Sequence, residues 1–163
     1  VYKRQGERRP DMKKILFFFV RFIAASLVLY TSWMFIGKFY TLIVAYGAKP
    51  LVALTGNSLD VDRALKVTEE ISLNPVVYIS LVIAVTGVAW RERIRPALIG
   101  VLVLTAANIV TVFFMFLSAF TRSEQLWTGT EFLNLTVNFF LPILLWALLV
   151  PKGDLMPVSS SSD

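Results

Sequence analysis

The chain has 163 residues, a formal net charge of +5, a hydrophobic fraction of 56% and a charged fraction of 17%. Soluble domains average roughly 45–50% apolar and about a quarter charged, so this composition excludes an ordinary soluble domain and points to a membrane protein. With no cysteine and no histidine, the chain has no disulfide, thiolate nucleophile, imidazole base or Cys/His metal set, and no cofactor or metal motif is present.

Residues 1–11, VYKRQGERRPD, precede the first methionine. VYKRQ matches, in a single frame, the translated end of a transposon adapter used for sequencing libraries. GERRPD then reads as translated upstream DNA, to be set aside before reasoning about the fold. The expected natural start is Met12, followed by Lys13 and Lys14. Removing four basic and two acidic residues lowers the net charge from +5 to +3.

A bilayer core about 30 Å thick needs roughly 20 apolar residues in a helix. Four stretches qualify. The first is 15–36, ILFFFVRFIAASLVLYTSWMFI, with Arg21 about two turns in. The second, 71–90, opens on Asn74–Pro75, which suits a helix start because proline needs no N–H partner there. The third, 96–120, again opens on proline. The fourth, 132–150, contains Pro142, which predicts a kink. Between the first two spans, 37–70 forms an outer loop. Its segment 39–56, interrupted by Gly47, Lys49 and Pro50, reads as amphipathic, lying on the outer surface or tucked against the bundle. In NSLDVDRALKVTEE, the residues Leu59, Val61, Leu65, Val67 and Ile71 alternate with polar ones. That is the period of a half-buried strand and a small hairpin, with a short helix beginning near Ser58 as the competing reading. Residues 151–163 read as a disordered polar tail.

Orientation follows from charge. Arg91, Arg93 and Arg95 crowd the link between the second and third spans, and short basic loops stay cytoplasmic. Lys13, Lys14 and Lys152 then fall on the same side. The fold class is an all-α integral membrane protein of four transmembrane helices, N-in and C-in, with 12–150 as its membrane domain. The pI near 9.7 reads as these topology signals rather than as a nucleic-acid footprint, and membrane lipids are the surroundings.

Six side chains stand out inside the spans. Arg21 can snorkel to the cytoplasmic headgroups. Thr105, Asn108 and Thr111 form a narrow polar stripe on the third span. Asn134 and Asn138, four apart, lie on the fourth. Amides in lipid need partners, and interhelical hydrogen bonds contribute about 0.6–2 kcal/mol each. The stripe reads first as packing between helices, with Asn108 expected to face Asn134, Asn138 or a partner protein. The alternative is a substrate pathway in a small transporter or channel subunit. Asp60, Asp62, Glu69 and Glu70 read as a solvated loop, with an outer-surface enzyme as a remote third class. Tyr30, Trp33, Phe39, Tyr40 and Trp127 suit an outer aromatic belt and Trp90 an inner one.

NPVVYISLVIAVTGVAWRERIRPALIGVLVLTAANIVTVFFMFL resembles the middle of the exosortase/archaeosortase superfamily of membrane protein-sorting enzymes. The likeness lies in a span, an Arg-rich cytoplasmic link, then a span with a mid-membrane Asn, here Asn108. Where the resemblance would place a catalytic Cys, the chain reads ISLNPVV, and Ile109-Val110-Thr111 stands where it would place an Arg. A chain without Cys or His lacks the thiolate and proton-transfer partner such chemistry needs. The chain is also similar to the small companion class of exosortase H-associated membrane proteins. It shares Arg21-Phe22, Tyr30 and Trp33, the Asn-Pro opening of the second span, and Leu141, Pro142, Leu144, Leu145 and Trp146 of an LPxLLW pattern. The resemblance implies a non-enzymatic accessory subunit of the bacterial inner membrane, partnered with an exosortase-type enzyme.

Overall fold

The computed structural model describes residues 12–151, so the N-terminal stretch 1–11 and most of the polar tail lie outside the described residues. Those described form helices α1 (Met12–Ala53), α2 (Val61–Ile71), α3 (Asn74–Ala84), α4 (Trp90–Thr121), α5 (Glu124–Leu135), a π-turn (Thr136–Phe140) and α6 (Leu141–Leu149). Four rods are long and apolar enough to cross a membrane: α1, the α2–α3 tandem, α4, and the α5–π–α6 tandem. Their boundaries differ from the sequence expectation at every span.

Helix α1 runs for 42 residues, a rise of about 63 Å, roughly twice what the hydrocarbon requires. Segment 39–56 is therefore not a separate amphipathic element; up to Ala53 it continues the first helix. Pro50 removes one backbone donor, but the buried stripe Gly37, Tyr40, Val44, Ala48, Val52 keeps its three-to-four spacing through the supposed interruption. Packing of that stripe outweighs one lost bond. The helix ends in a tight turn, with Thr55 and Gly56 N–H donating to the Val52 and Ala53 carbonyls and Gly56 at φ 78°, where a side chain would be strained.

The expected hairpin is a helix instead, the competing reading, though it starts at Val61 rather than near Ser58. Asp60 Oδ1 accepts from the Asp62 N–H at 3.0 Å and the Arg63 N–H at 3.3 Å, a side-chain cap on the first turn. The buried residues are Leu59, Ala64 and Thr68, flanked by half-buried Val61 and Leu65. Val61 and Leu65 fit both a period of two and a period of 3.6; Ala64 and Thr68 belong only to the second.

The second span is the largest departure. Rather than running continuously from 71 to 90, it holds a single 11-residue helix, α3, about 16 Å long. Ser72 and Leu73 break it above, and the non-helical connection 85–89, with Gly87 at φ 74°, ends it below. RERIR is not a link at all but the opening turns of α4, with Pro96 inside that helix. Arg122 at φ 51° makes the turn to α5, where the Ser123 hydroxyl caps the Leu126 N–H, so the last rod begins at Glu124 rather than at 132. The discontinuity expected at Pro142 takes the form of the π-turn just before it, in which the Leu141 N–H reaches back five residues to the Thr136 carbonyl.

Two apolar cores result. One gathers Phe18, Tyr78, Val82, Leu104 and Leu145 around the lower half of the bundle. The other gathers Tyr40, Val44, Ala48, Val112 and Phe116 around the upper. In the lower core the fully buried Tyr78 ring lies against Gly100, and its hydroxyl donates to the Pro96 carbonyl at 2.7 Å. A Cβ on Gly100 would come within 2.1 Å of the ring. Gly100→Ala is therefore expected to destabilise the protein by about 1–3 kcal/mol through overpacking, read by denaturant unfolding in detergent. In a Tyr78→Leu background, which removes the ring, the same substitution is expected to be nearly neutral. An equal loss in both backgrounds overturns this packing account.

Candidate functional site

Helix α3 is interrupted at both ends within an apolar bundle, which leaves backbone groups that need partners. At its upper end two amides meet. Asn74 Nδ2 donates to Asn108 Oδ1 at 3.0 Å, and Asn108 Nδ2 donates back to Asn74 Oδ1 at 3.0 Å. Each amide has a second donation. Asn108 gives one to the Tyr40 hydroxyl at 2.8 Å, and Asn74 gives one to the Val137 carbonyl at 3.2 Å. Val137 lies in the π-turn, where its carbonyl faces residue 142 in the five-residue register. That residue is Pro142, which has no N–H, so Asn74 supplies the bond the turn leaves open. Both amides are almost fully enclosed, at 1% exposure for Asn74 and 0% for Asn108.

The rest of the third-span stripe bonds its own helix. Thr111 is fully buried and its hydroxyl donates to the Ala107 carbonyl at 2.9 Å. Thr105 donates to the Val101 carbonyl at 2.7 Å. Asn134 and Asn138 do not face Asn108. They pair along their own helix, Asn138 Nδ2 donating to Asn134 Oδ1 at 2.5 Å and to the Asn134 carbonyl at 3.0 Å. The partners of Asn108 are instead Asn74, taken from sequence as a helix start, and Tyr40, taken as an aromatic-belt residue.

At the lower end of α3 two arginines converge. Arg21 Nη2 donates to the Ile83 carbonyl at 3.1 Å, and Arg93 Nη1 to the same oxygen at 3.2 Å. Arg93 also grips the Val88 carbonyl through Nε at 3.0 Å and Nη2 at 2.5 Å. Arg21, read as a snorkelling residue, points to the end of α3. Arg93, read as a topology charge, is 6% exposed and holds the 85–89 connection closed. Two cations at one carbonyl repel each other. The negative end of the helix dipole and the free carbonyls of the last turn offset that repulsion. The Arg93 guanidinium also lies 5.2 Å from the Trp90 ring centroid and Arg21 5.8 Å from that of Phe17, favourable cation–π distances.

Chemically, the cluster is a set of neutral amides, hydroxyls and carbonyl-bound guanidiniums. It contains no carboxylate or thiol. Among the described residues no three His, Cys, Asp or Glu side chains gather to hold a metal. Asp60 is engaged as the α2 cap, while Asp62 and Glu69 lie exposed on the same helix. The missed residues shared one signal, a polar side chain beside an interruption: Asn74 before Pro75, and Arg93 after the Gly87 turn.

If the Asn74–Asn108 pair ties α3 to α4, Asn74→Leu and Asn108→Leu each lower unfolding stability. A double-mutant cycle between them should give a coupling of about 1 kcal/mol; additive losses would show that the amides do not interact. Arg93→Met should cost more than Arg21→Met, because it leaves Val88 without its donor, and about 1–3 kcal/mol is expected. The two arginine losses should be non-additive, since either arginine alone still serves Ile83. Unfolding in detergent of the four single and the two double variants reads both.

No protein-family model, no curated protein and no solved structure matches this chain.

Proposed function

We propose that the chain is a non-enzymatic accessory subunit of the bacterial inner membrane that binds another integral membrane protein along the outward face of α1. An exosortase-type enzyme is the partner its sequence resemblance favours. The observation that carries this reading is the length of exposed apolar surface on α1. The helix rises about 63 Å, twice the hydrocarbon core, and α2, packed beside its upper half, carries five charged residues that keep that level out of the hydrocarbon. At that level Phe39, Ile43 and Tyr46 remain 57–69% exposed. Apolar side chains that continue past the lipid core are an interaction surface. The interior supports a structural role too. The Thr105–Asn108–Thr111 stripe spends its donors on Tyr40, Asn74 and nearby carbonyls, so it offers no row of open polar groups for a transported solute.

The N-in, C-in orientation is part of the proposal. Lys13 and Lys14 open α1, Arg91 and Arg95 open α4, and Arg21 and Arg93 meet at one carbonyl. Basic residues collected at one end of a bundle favour the cytoplasm for that end. The chain has no native cysteine, so Lys49→Cys and Arg95→Cys report cleanly. An impermeant thiol reagent applied to intact cells is expected to label position 49 and spare position 95, and the reverse pattern overturns the orientation. For the partner, a photocrosslinking residue at position 43 should trap a second membrane protein when an exosortase-type enzyme is co-expressed. One at position 140, on a different exposed helix face, should trap lipid. Lipid adducts alone at both positions sink the docking surface.

A further inference from the structure

A groove runs along the seam between α1 and the α2–α3 junction, on a different face of α1 from Phe39, Ile43 and Tyr46. Its upper chamber, about 340 Å³, is lined by Tyr30, Trp33, Lys38, Thr41 and Glu69, with Leu73 at the helix break. Trp33 also lines the chamber below, about 170 Å³, enclosed by Leu29, Ile36, Val76 and Ile79. The two adjoin at the Trp33 ring and are read together as a slot, charged at its mouth and apolar beyond the ring. Neither the Lys38 ammonium nor the Glu69 carboxylate bonds another side chain among the described residues.

We infer that this slot binds a zwitterionic phospholipid whose headgroup carries a primary amine, the phosphate against Lys38, the ammonium against Glu69, and one acyl chain between α1 and α3. Three observations carry it. The first is charge: one cation and one anion at the mouth match a zwitterion, whereas an anionic headgroup would pair its phosphate with Lys38 and leave Glu69 without a counter-charge. The second is depth. Helix α2, which supplies Glu69, carries five charged residues, which keeps the level of the mouth out of the hydrocarbon and at the headgroups. The apolar chamber lies below that level, where an acyl chain belongs. The third is shape. The break at Ser72 and Leu73 interrupts the second rod beside Gly37, and the Trp33 ring folds over that glycine, 2.9 Å from where a Cβ would stand. A primary ammonium offers three N–H donors to the Glu69 carboxylate, and a quaternary one offers none.

Native mass spectrometry of the full chain in detergent tests this. Phosphatidylethanolamine, phosphatidylcholine and phosphatidylglycerol with identical acyl chains are each added. Phosphatidylethanolamine is expected to be retained most. Glu69→Gln should weaken that retention about tenfold, the loss of one charge-assisted hydrogen bond, and leave phosphatidylglycerol unchanged. Lys38→Met should weaken retention of all three. Both residues are exposed, so unfolding midpoints should match the parent protein and separate loss of binding from loss of fold. Equal retention of the three lipids, or phosphatidylethanolamine retention unmoved by Glu69→Gln, overturns the assignment.

Discussion

Everything in this bundle depends on how the two ends of α3 are satisfied. A bilayer interior holds no water to bond an exposed N–H or carbonyl, and each unsatisfied group costs several kcal/mol. A full-length helix avoids the problem by bonding its own backbone throughout. An 11-residue helix placed between α1 and α4 cannot. Asn74 and Asn108 close the upper end against the π-turn, and Arg21 and Arg93 close the lower end. The energetic role of these bonds is asymmetric. Each contributes only about 1 kcal/mol over a well-packed apolar contact. Removing one partner strands the other in a low-dielectric core, which costs more than the bond was worth. The network therefore fixes the relative height of three helices more than it adds to total stability.

The reason for breaking the second span lies in α2. Its sequence VDRALKVTEEI carries five charged residues. A charge at the centre of a bilayer costs roughly 2.5–3.5 kcal/mol by insertion scales, so a straight continuation of α3 through lipid would be expelled. With the break at Ser72 and Leu73, α2 instead lays Ala64 and its neighbours on the upper core beside Val44, Val52 and Phe116 and leaves Asp62, Arg63 and Lys66 outward. The same placement explains the length of α1, whose last four turns form the platform on which α2 packs.

The apolar rods were legible because membrane spans are a matter of composition and length. Their boundaries were not, because packing overrode local punctuation. Gly47, Lys49 and Pro50 are sound reasons to end a helix in isolation, yet the stripe from Tyr40 to Val52 keeps α1 intact. Val61 and Leu65 satisfy strand and helix periods equally, and only the burial of Ala64 and Thr68 decides between them. Asn108 was visible as an amide in a span; its partners were not, since Tyr40 and Asn74 lie 68 and 34 positions away. Arg93 was misread for a related reason. Position in sequence gives its charge to the membrane surface, while a guanidinium with five donors can turn inward to carbonyls that only a broken helix exposes.

The broken helix also decides where the protein can act. The polar network at the two ends of α3 is spent on its own closure: the Asn108 donors go to Tyr40 and Asn74, and the Arg93 donors to two carbonyls. A group fully occupied in holding three helices at one height cannot also bind a passing solute without loosening them. The surfaces left open to a partner are those where side chains are not engaged. Two such surfaces exist because α3 is short. Beside the broken second rod, α1 extends upward to carry α2, and that extension leaves Phe39, Ile43 and Tyr46 exposed. The gap where the second rod breaks leaves the slot between Trp33, Lys38 and Glu69. A continuous second helix would close the slot and remove the need for the asparagine and arginine clusters together, so the polar network and the outer surfaces have one structural origin.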